Sequence, residues 1–261
     1  MDKNGVCGKS EGILRPLICP AGDRCRGVPD YWSAFGELGS AVKSELASGW
    51  RANRYSRGNI LFYQGNEPLG LFFLCEGRVK LVRSEDGGRN HIFRIINAPD
   101  LLGDRSLIAR KSYAATAEVM EEARICFVDS ARFLKLWDRH PEVPRFLARR
   151  LAVKLGEAED LATDIALRTV RERVAKLIAI RAESAVPSAS FRLDLSRQEI
   201  AELIGASPEV VSRTLAVLAA RKLISFEGRR VRILDSARLR AAARISAQPH
   251  DAYQAKDYPK S

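Results

Sequence analysis

The sequence predicts an α+β chain in which a roll, sandwich or barrel of short strands precedes one long helix and a winged helix-turn-helix. Three observations carry this. Short β-prone runs between glycine turns fill residues 50 to 128. An apolar seam of seven-residue period then runs through a helical stretch from about Pro144 to Ala182. Finally, Leu195 to Leu234 reads as helix, tight turn, helix and hairpin.

Residues 1–30 are rich in Cys, Gly, Pro and charge and are expected to be an irregular leader. In the next twenty residues Phe35, Leu38, Val42 and Leu46 fall near one helical face. Then the period changes. Ile60-Leu61-Phe62-Tyr63 runs into Gln64-Gly65-Asn66, and Leu71-Phe72-Phe73-Leu74-Cys75 into Glu76-Gly77. Val79 to Arg83 alternates apolar with polar before Glu85-Asp86-Gly87-Gly88, and His91 to Ile96 precedes Asn97-Ala98-Pro99-Asp100. Short strands at such close spacing belong to an all-β unit, here residues 31–135.

The long helix, over residues 136–170, carries Leu151, Ala158 and Ile165 seven apart, and Leu155, Ala162 and Thr169 in a second series. Two interleaved heptads make a coiled-coil seam. A seam lying between two compact units stays exposed unless a second copy covers it, so a homodimer is expected. The competing arrangement packs the seam on the β-unit of its own chain.

In residues 171–240, Ser196 with Glu199 has the spacing of a capping box, and Ile200, Leu203 and Ile204 follow at helical spacing. Gly205 suits a left-handed helix end; Ser207 and Pro208 suit the cap and first position of a second helix, reaching about Lys222. Val211, Leu215 and Leu218 form its inner face, whereas Glu209, Ser212 and Arg213 share an outer one. That chemistry reads bases: Arg grips guanine O6 and N7, Glu accepts from cytosine N4, and the first turns of a recognition helix reach the major groove. Ser207 at the helix start belongs to the same DNA-facing set. Two short strands flank Glu227-Gly228-Arg229-Arg230, and Arg221, Lys222, Arg229 and Arg230 are available for phosphates. The plainer reading is a helical pair with a solvated charged face. Residues 241–261 lack periodicity and are expected to be a mobile tail.

The chain has 261 residues and a formal net charge of +11, a basic excess suited to double-stranded DNA. No apolar run reaches membrane-span length and no secretory core follows Met1, so a cytoplasmic protein without a membrane partner is expected. There is no Ser/His/Asp set, paired-carboxylate arrangement or phosphate-cradling glycine loop, so no catalytic residues are assigned; an enzyme is a remote alternative, as is a DNA-architectural protein without sequence preference.

The order of these units resembles the Crp/Fnr family of bacterial transcription regulators over roughly residues 31 to 240. The markers are Arg57-Gly58-Asn59-Ile60-Leu61-Phe62-Tyr63-Gln64-Gly65, Cys75-Glu76-Gly77-Arg78-Val79-Lys80-Leu81, Asp100-Leu101-Leu102-Gly103-Asp104 and Tyr113-Ala114-Ala115-Thr116-Ala117. The resemblance implies a cyclic-nucleotide-binding-like jelly roll, a dimerisation helix and RNA polymerase as a partner. Glu209, Ser212 and Arg213 resemble the trio of the Fnr branch, which implies a two-fold site with TTGAT-like half-sites. A cyclic nucleotide in such a roll needs an acid for the ribose and an Arg-Ser pair for the phosphate. Asp104 stands near the first position, but Tyr113-Ala114 stands where the pair should be, with Arg110 and Lys111 nearby.

Resemblance to the Fnr branch also implies a 4Fe–4S cluster held by three leader cysteines and one on the roll. The corresponding residues are Cys7, Cys19, Cys25 and Cys126. Cys7 departs from the family's spacing by lying twelve residues before Cys19. Cys75, in a strand context, reads as a small buried apolar residue. The implied function is an oxygen- or redox-responsive regulator. The alternatives are a small-molecule or thiol sensor without a cluster, and a zinc site. Asp160, with Glu157 and Glu159, is expected to repel its copy across the seam when the signal is absent.

Overall fold

The computed structural model describes residues 38–85, 87–184 and 190–245. Cys7, Cys19, Cys25, Phe35 and the expected mobile tail lie outside them, apart from the tail's first residues to Ile245.

Helix α1 (Ser40–Ser48) buries Val42, Leu46 and Ala47, the face its spacing predicts. Eight strands follow: β1 (Arg51–Tyr55), β2 (Ile60–Phe62), β3 (Gly70–Glu76), β4 (Arg78–Ser84), β5 (Asn90–Asn97), β6 (Asp100–Leu102), β7 (Thr116–Val119) and β8 (Ala123–Asp129), with α2 (Asp104–Ala109) between β6 and β7. They form two four-stranded sheets, ordered β1-β8-β3-β6 and β2-β7-β4-β5, with antiparallel pairing throughout. This is the expected roll. Phe72, Leu74, Val79, Ile96, Leu102, Val119 and Ile125 pack between the sheets. The opposite face of β3 and β8 supplies Phe73, Cys75, Cys126 and Val128 to a second core beneath the helices, with Leu38, Leu46 and Trp50. β3 is therefore buried on both faces, which explains its unbroken apolar run.

Helix α3 (Ser130–Arg139) is capped by the Asp129 side chain, which accepts from the Arg132 N–H. Leu136 belongs to α3 and not to the long helix that the sequence predicts from residue 136. The long helix, α4, runs Glu142–Leu167, and α5 runs Val170–Ser184. The predicted continuous helix is thus divided at Arg168-Thr169. The reason is local: Glu172 Oε2 accepts from the Thr169 N–H at 2.7 Å, and Thr169 Oγ1 accepts from the Glu172 N–H at 3.3 Å. These bonds have the reciprocal pattern of a capping box, and such a box starts a new helix. Thr169 caps α5 and lies beyond the end of α4.

The rest is a winged helix-turn-helix: β9 (Ser190–Arg192), α6 (Arg197–Ile204), α7 (Pro208–Ala220), β10 (Ile224–Glu227), β11 (Arg230–Ile233) and α8 (Ser236–Ala242). The capping box at Ser196 and Glu199 is formed, and Gly205 ends α6 at φ 67°. α7 stops two residues short of Lys222, because Lys222 takes a left-handed φ of 56° and turns the chain into β10. β9 extends the hairpin to a third strand, pairing with β11 at Phe191↔Val231. It was not anticipated, although Phe191 and Leu193 alternate with charged residues.

Candidate DNA interface and signal site

Helix α7 begins at Ser207, whose Oγ accepts from the Val210 N–H, with Pro208 at the first position. Val211, Thr214, Leu215 and Leu218 are buried against the rest of the domain. That anchoring leaves Glu209, Ser212 and Arg213 together on the exposed face. A hydrogen bond from Ser207 and the N–H of Glu209 itself hold the Glu209 carboxyl below the usual carboxylate range. The helix therefore presents an ionised acceptor, a hydroxyl and a guanidinium to solvent.

Arg229 and Arg230 are exposed at the wing turn, and Arg221 and Lys222 are exposed past the far end of α7. These four cations flank the helix instead of sitting on it, which suits phosphates on either side of a groove. One basic residue escaped the sequence reading. Arg197, in the first turn of α6, lies with its guanidinium carbon 5.2 Å from the Phe226 ring centroid of the wing. Together with Ser196, Gly228 and Arg229 it lines a cleft between α6 and the wing. Its position directly after the cap Ser196 was the available signal.

The seam of α4 is uncovered. Leu155 is 60% exposed and Ile165 48%; Ala158 and Ala162 are exposed, and Leu151 is half-buried. The roll of the same chain does not cover this stripe. Glu157 is directed elsewhere: its carboxylate lies 3.3 Å from Arg94 of β5. This pair draws Glu157 toward its own chain, whereas Glu159 and Asp160 are exposed.

Asp104, near the position that the resemblance gives to a ribose-binding acid, is paired within the chain. Asp104 is buried, and Lys154 of α4 donates to its Oδ2 at 2.7 Å. Arg150, one turn earlier, has Nε 3.7 Å from the same oxygen and also pairs with Asp100. Tyr113 is buried and stacks on Phe62, with ring centroids 3.8 Å apart. Its hydroxyl donates to the Gly70 carbonyl at 3.4 Å, and burial pushes its pKa up to about 12. An aromatic pair therefore stands where the family resemblance would place an Arg-Ser phosphate clamp. Arg110 and Lys111 are exposed outside it.

Cys126 lies on β8, 1% exposed, with its sulfur 3.5 Å from that of Cys75, itself 3% exposed. Leu38, the first described residue, belongs to the same apolar core. Among the described residues no group of three or more His, Cys, Asp or Glu could hold a metal.

The first helix of the motif rests on the roll. His91 Nδ1 of β5 is 2.6 Å from the Glu202 carbonyl of α6. Glu199 lies 3.7 Å from Lys80 and 3.9 Å from Arg57. Arg78 reaches Glu121 at 2.7 Å and Asp194 at 3.7 Å. Met120 of the roll is part of the DNA-binding core. Among the described residues no single helix is long and apolar enough to cross a membrane.

Residues 52–140 match the cyclic nucleotide-binding domain and residues 172–242 the Crp-like helix-turn-helix domain. A CRP-like cAMP-activated global transcriptional regulator of Mycobacterium tuberculosis is 33% identical, over 73% of this chain and 87% of that protein. The chain belongs to the Crp/Fnr family. The transcriptional activator protein anr of Pseudomonas aeruginosa is 29% identical, over 74% of this chain and 80% of the relative. The solved structure of FixK2 from Bradyrhizobium japonicum has the same fold, with TM-score 0.67 and 22% identity over 74% of this chain and 96% of its own. As a family member the chain is a DNA-binding transcription regulator, and the exposed face of α7 is its candidate base-reading surface.

Proposed function

We propose that this regulator binds a two-fold site with TTGAT-like half-sites as a homodimer, and that its signal is oxygen or redox state. The occupation of Asp104 carries the reading. In a roll able to hold a cyclic nucleotide, this is the position free to bind a ribose; here Lys154 and Arg150 neutralise it. With Tyr113 stacked in place of a phosphate clamp, the roll offers a cyclic nucleotide neither anchor. The signal then enters through the thiols.

Cys7, Cys19, Cys25 and Cys126 would hold a 4Fe–4S cluster. Cys126 is the thiol that the family resemblance assigns on the roll; it is buried in the apolar core to which Leu38, where the described residues begin, also belongs. A cluster bound there supplies iron whose state responds to oxygen or nitric oxide. The chain's own residues do the rest. α3 and the start of α4 share the core of Cys126 through Phe133, Leu136 and Val143. Packing around the thiol is thereby joined to the helix that carries the dimer seam. Leu151, Leu155, Ala158, Ala162 and Ile165 bury one another's apolar surface in the dimer and set the spacing of the two α7 helices. RNA polymerase is the partner on which such a regulator acts, and the cytoplasm is where it meets both.

The test is anaerobic purification, with iron and sulfide content and absorbance measured before and after air. Iron near four per chain, bleached by air, supports the reading; a colourless protein after anaerobic reconstitution overturns it. A second reading, cyclic AMP as the signal, is favoured by the match over residues 52–140 and by the cAMP-activated relative. Calorimetric titration with cyclic AMP tests it: saturable binding would support the second reading, and its absence would remove it.

A further inference from the structure

Cys75 has no place in the proposed four-thiolate set, yet it is the residue whose sulfur stands beside Cys126. β3 and β8 are antiparallel, and Phe73 pairs with Cys126, which puts Cys75 on the same face as Phe73 and Cys126. The pairing register jumps from Leu74↔Ile125 to Glu76↔Arg124. Cys75 is thus the extra residue of a bulge, released from the ladder one position before the strand ends. Its sulfur is 3.5 Å from that of Cys126, against about 2.05 Å in a disulfide. A shift of about 1.5 Å, at a residue the ladder does not pin, would close the gap.

We propose that Cys75 and Cys126 are a redox dithiol that closes to a cross-strand disulfide under hydrogen peroxide. The inference rests on the strand geometry and not on the cluster. The step balances. One thiolate attacks a peroxide oxygen, the O–O bond breaks, and hydroxide leaves and takes up the thiol's proton as water. The sulfenic acid so formed is attacked by the second thiol; the S–S bond forms, the S–O bond breaks and a second water leaves. Two thiols lose two electrons and the peroxide gains them. The oxidant is small and neutral, so it can reach sulfurs that are 3% and 1% exposed through local opening at the bulge. The disulfide is as apolar as the thiols and stays within the core of Phe73 and Leu46. Closure removes the Cys126 thiolate from any metal, so peroxide would act on the regulator by a route separate from the leader.

The test uses the full-length chain, metal-free and reduced. One equivalent of hydrogen peroxide is added, remaining thiols are alkylated under denaturing conditions, and peptides are mapped. A linked Cys75–Cys126 peptide, two hydrogens lighter than the sum, is expected. Both peptides recovered alkylated, or Cys75 joined to another cysteine, would overturn the proposal. The variant Cys7→Ser, Cys19→Ser, Cys25→Ser retains only this pair of the five cysteines. Its titratable thiols should fall from two to none without an intermolecular band on a non-reducing gel; two persisting thiols or a linked dimer count against the pair. Iron content plays no part in either readout, so the cluster reading can fail while this one stands.

Discussion

Lys154 of the long helix donates to Asp104 of the roll at 2.7 Å, joining the two units. Burial lowers the pKa of Lys154 below 10.5, and Arg150 adds to this, although Asp104 and Asp100 oppose it. Between that lowered value and 10.5 the unfolded chain binds more protons than the folded one, so this group's contribution to stability rises with pH through the window. Below the window the cost of burying the charge is fully present. Lys154→Met should flatten the rise. Urea midpoints of both proteins between pH 8 and 10.5 check this, and parallel curves would refute the assignment.

Glu199 has a different balance. Burial pushes its carboxyl up, but hydrogen bonds from the Ser196 N–H and side chain, with Lys80 and Arg57, together hold it below the usual value. Its stabilising contribution is therefore present above about pH 4.5 and is lost as pH falls through the lowered folded value. Ser196→Ala removes the cap and should cost about 1 kcal/mol. Lys80→Met should instead speed amide exchange in α6 more than in α7, because Lys80 pairs with Glu199 of α6. Equal acceleration in both helices would mean that the contact does not hold the domain.

Arg213→Ala should lose about 1–3 kcal/mol on the specific site if its guanidinium bonds a guanine. Arg229→Ala at the wing turn should weaken specific and random DNA alike and reduce the salt slope by about one unit. Binding curves at several salt concentrations separate the two; a uniform loss with Arg213→Ala would move that residue from base to phosphate.

Leu155→Glu places a charge on a seam position that is 60% exposed in the single chain. The chain should keep its helical content and thermal midpoint as a monomer, and the dimer should weaken at least tenfold. Sedimentation equilibrium measures the second effect and circular dichroism the first. Unchanged association would place the interface elsewhere.

Much of the fold was legible because it is written locally. Capping boxes, alternating strands and Gly205 depend on neighbours a few residues away, and α1, β2 to β5, α6, α7 and the wing hairpin stand where those signals put them. The break at Thr169 was equally local: Thr169 and Glu172 have capping spacing, but Thr169 also fits the heptad, and the longer pattern masked the shorter. β9 was harder to see, since three residues carry too little alternation to stand out until β11 is beside them.

What the sequence determined by itself is the order of units and the chemistry of the exposed face of α7, because periodicity selects which side chains are buried and leaves the others outward. The tertiary structure alone decided the partnerships between residues distant in the chain. Lys154 meets Asp104 across fifty positions, Glu157 meets Arg94, and Cys75 meets Cys126 across fifty-one. Each pair faces one another only because strands or a helix and a sheet pack side by side, and no local rule encodes which distant charge or thiol will be there.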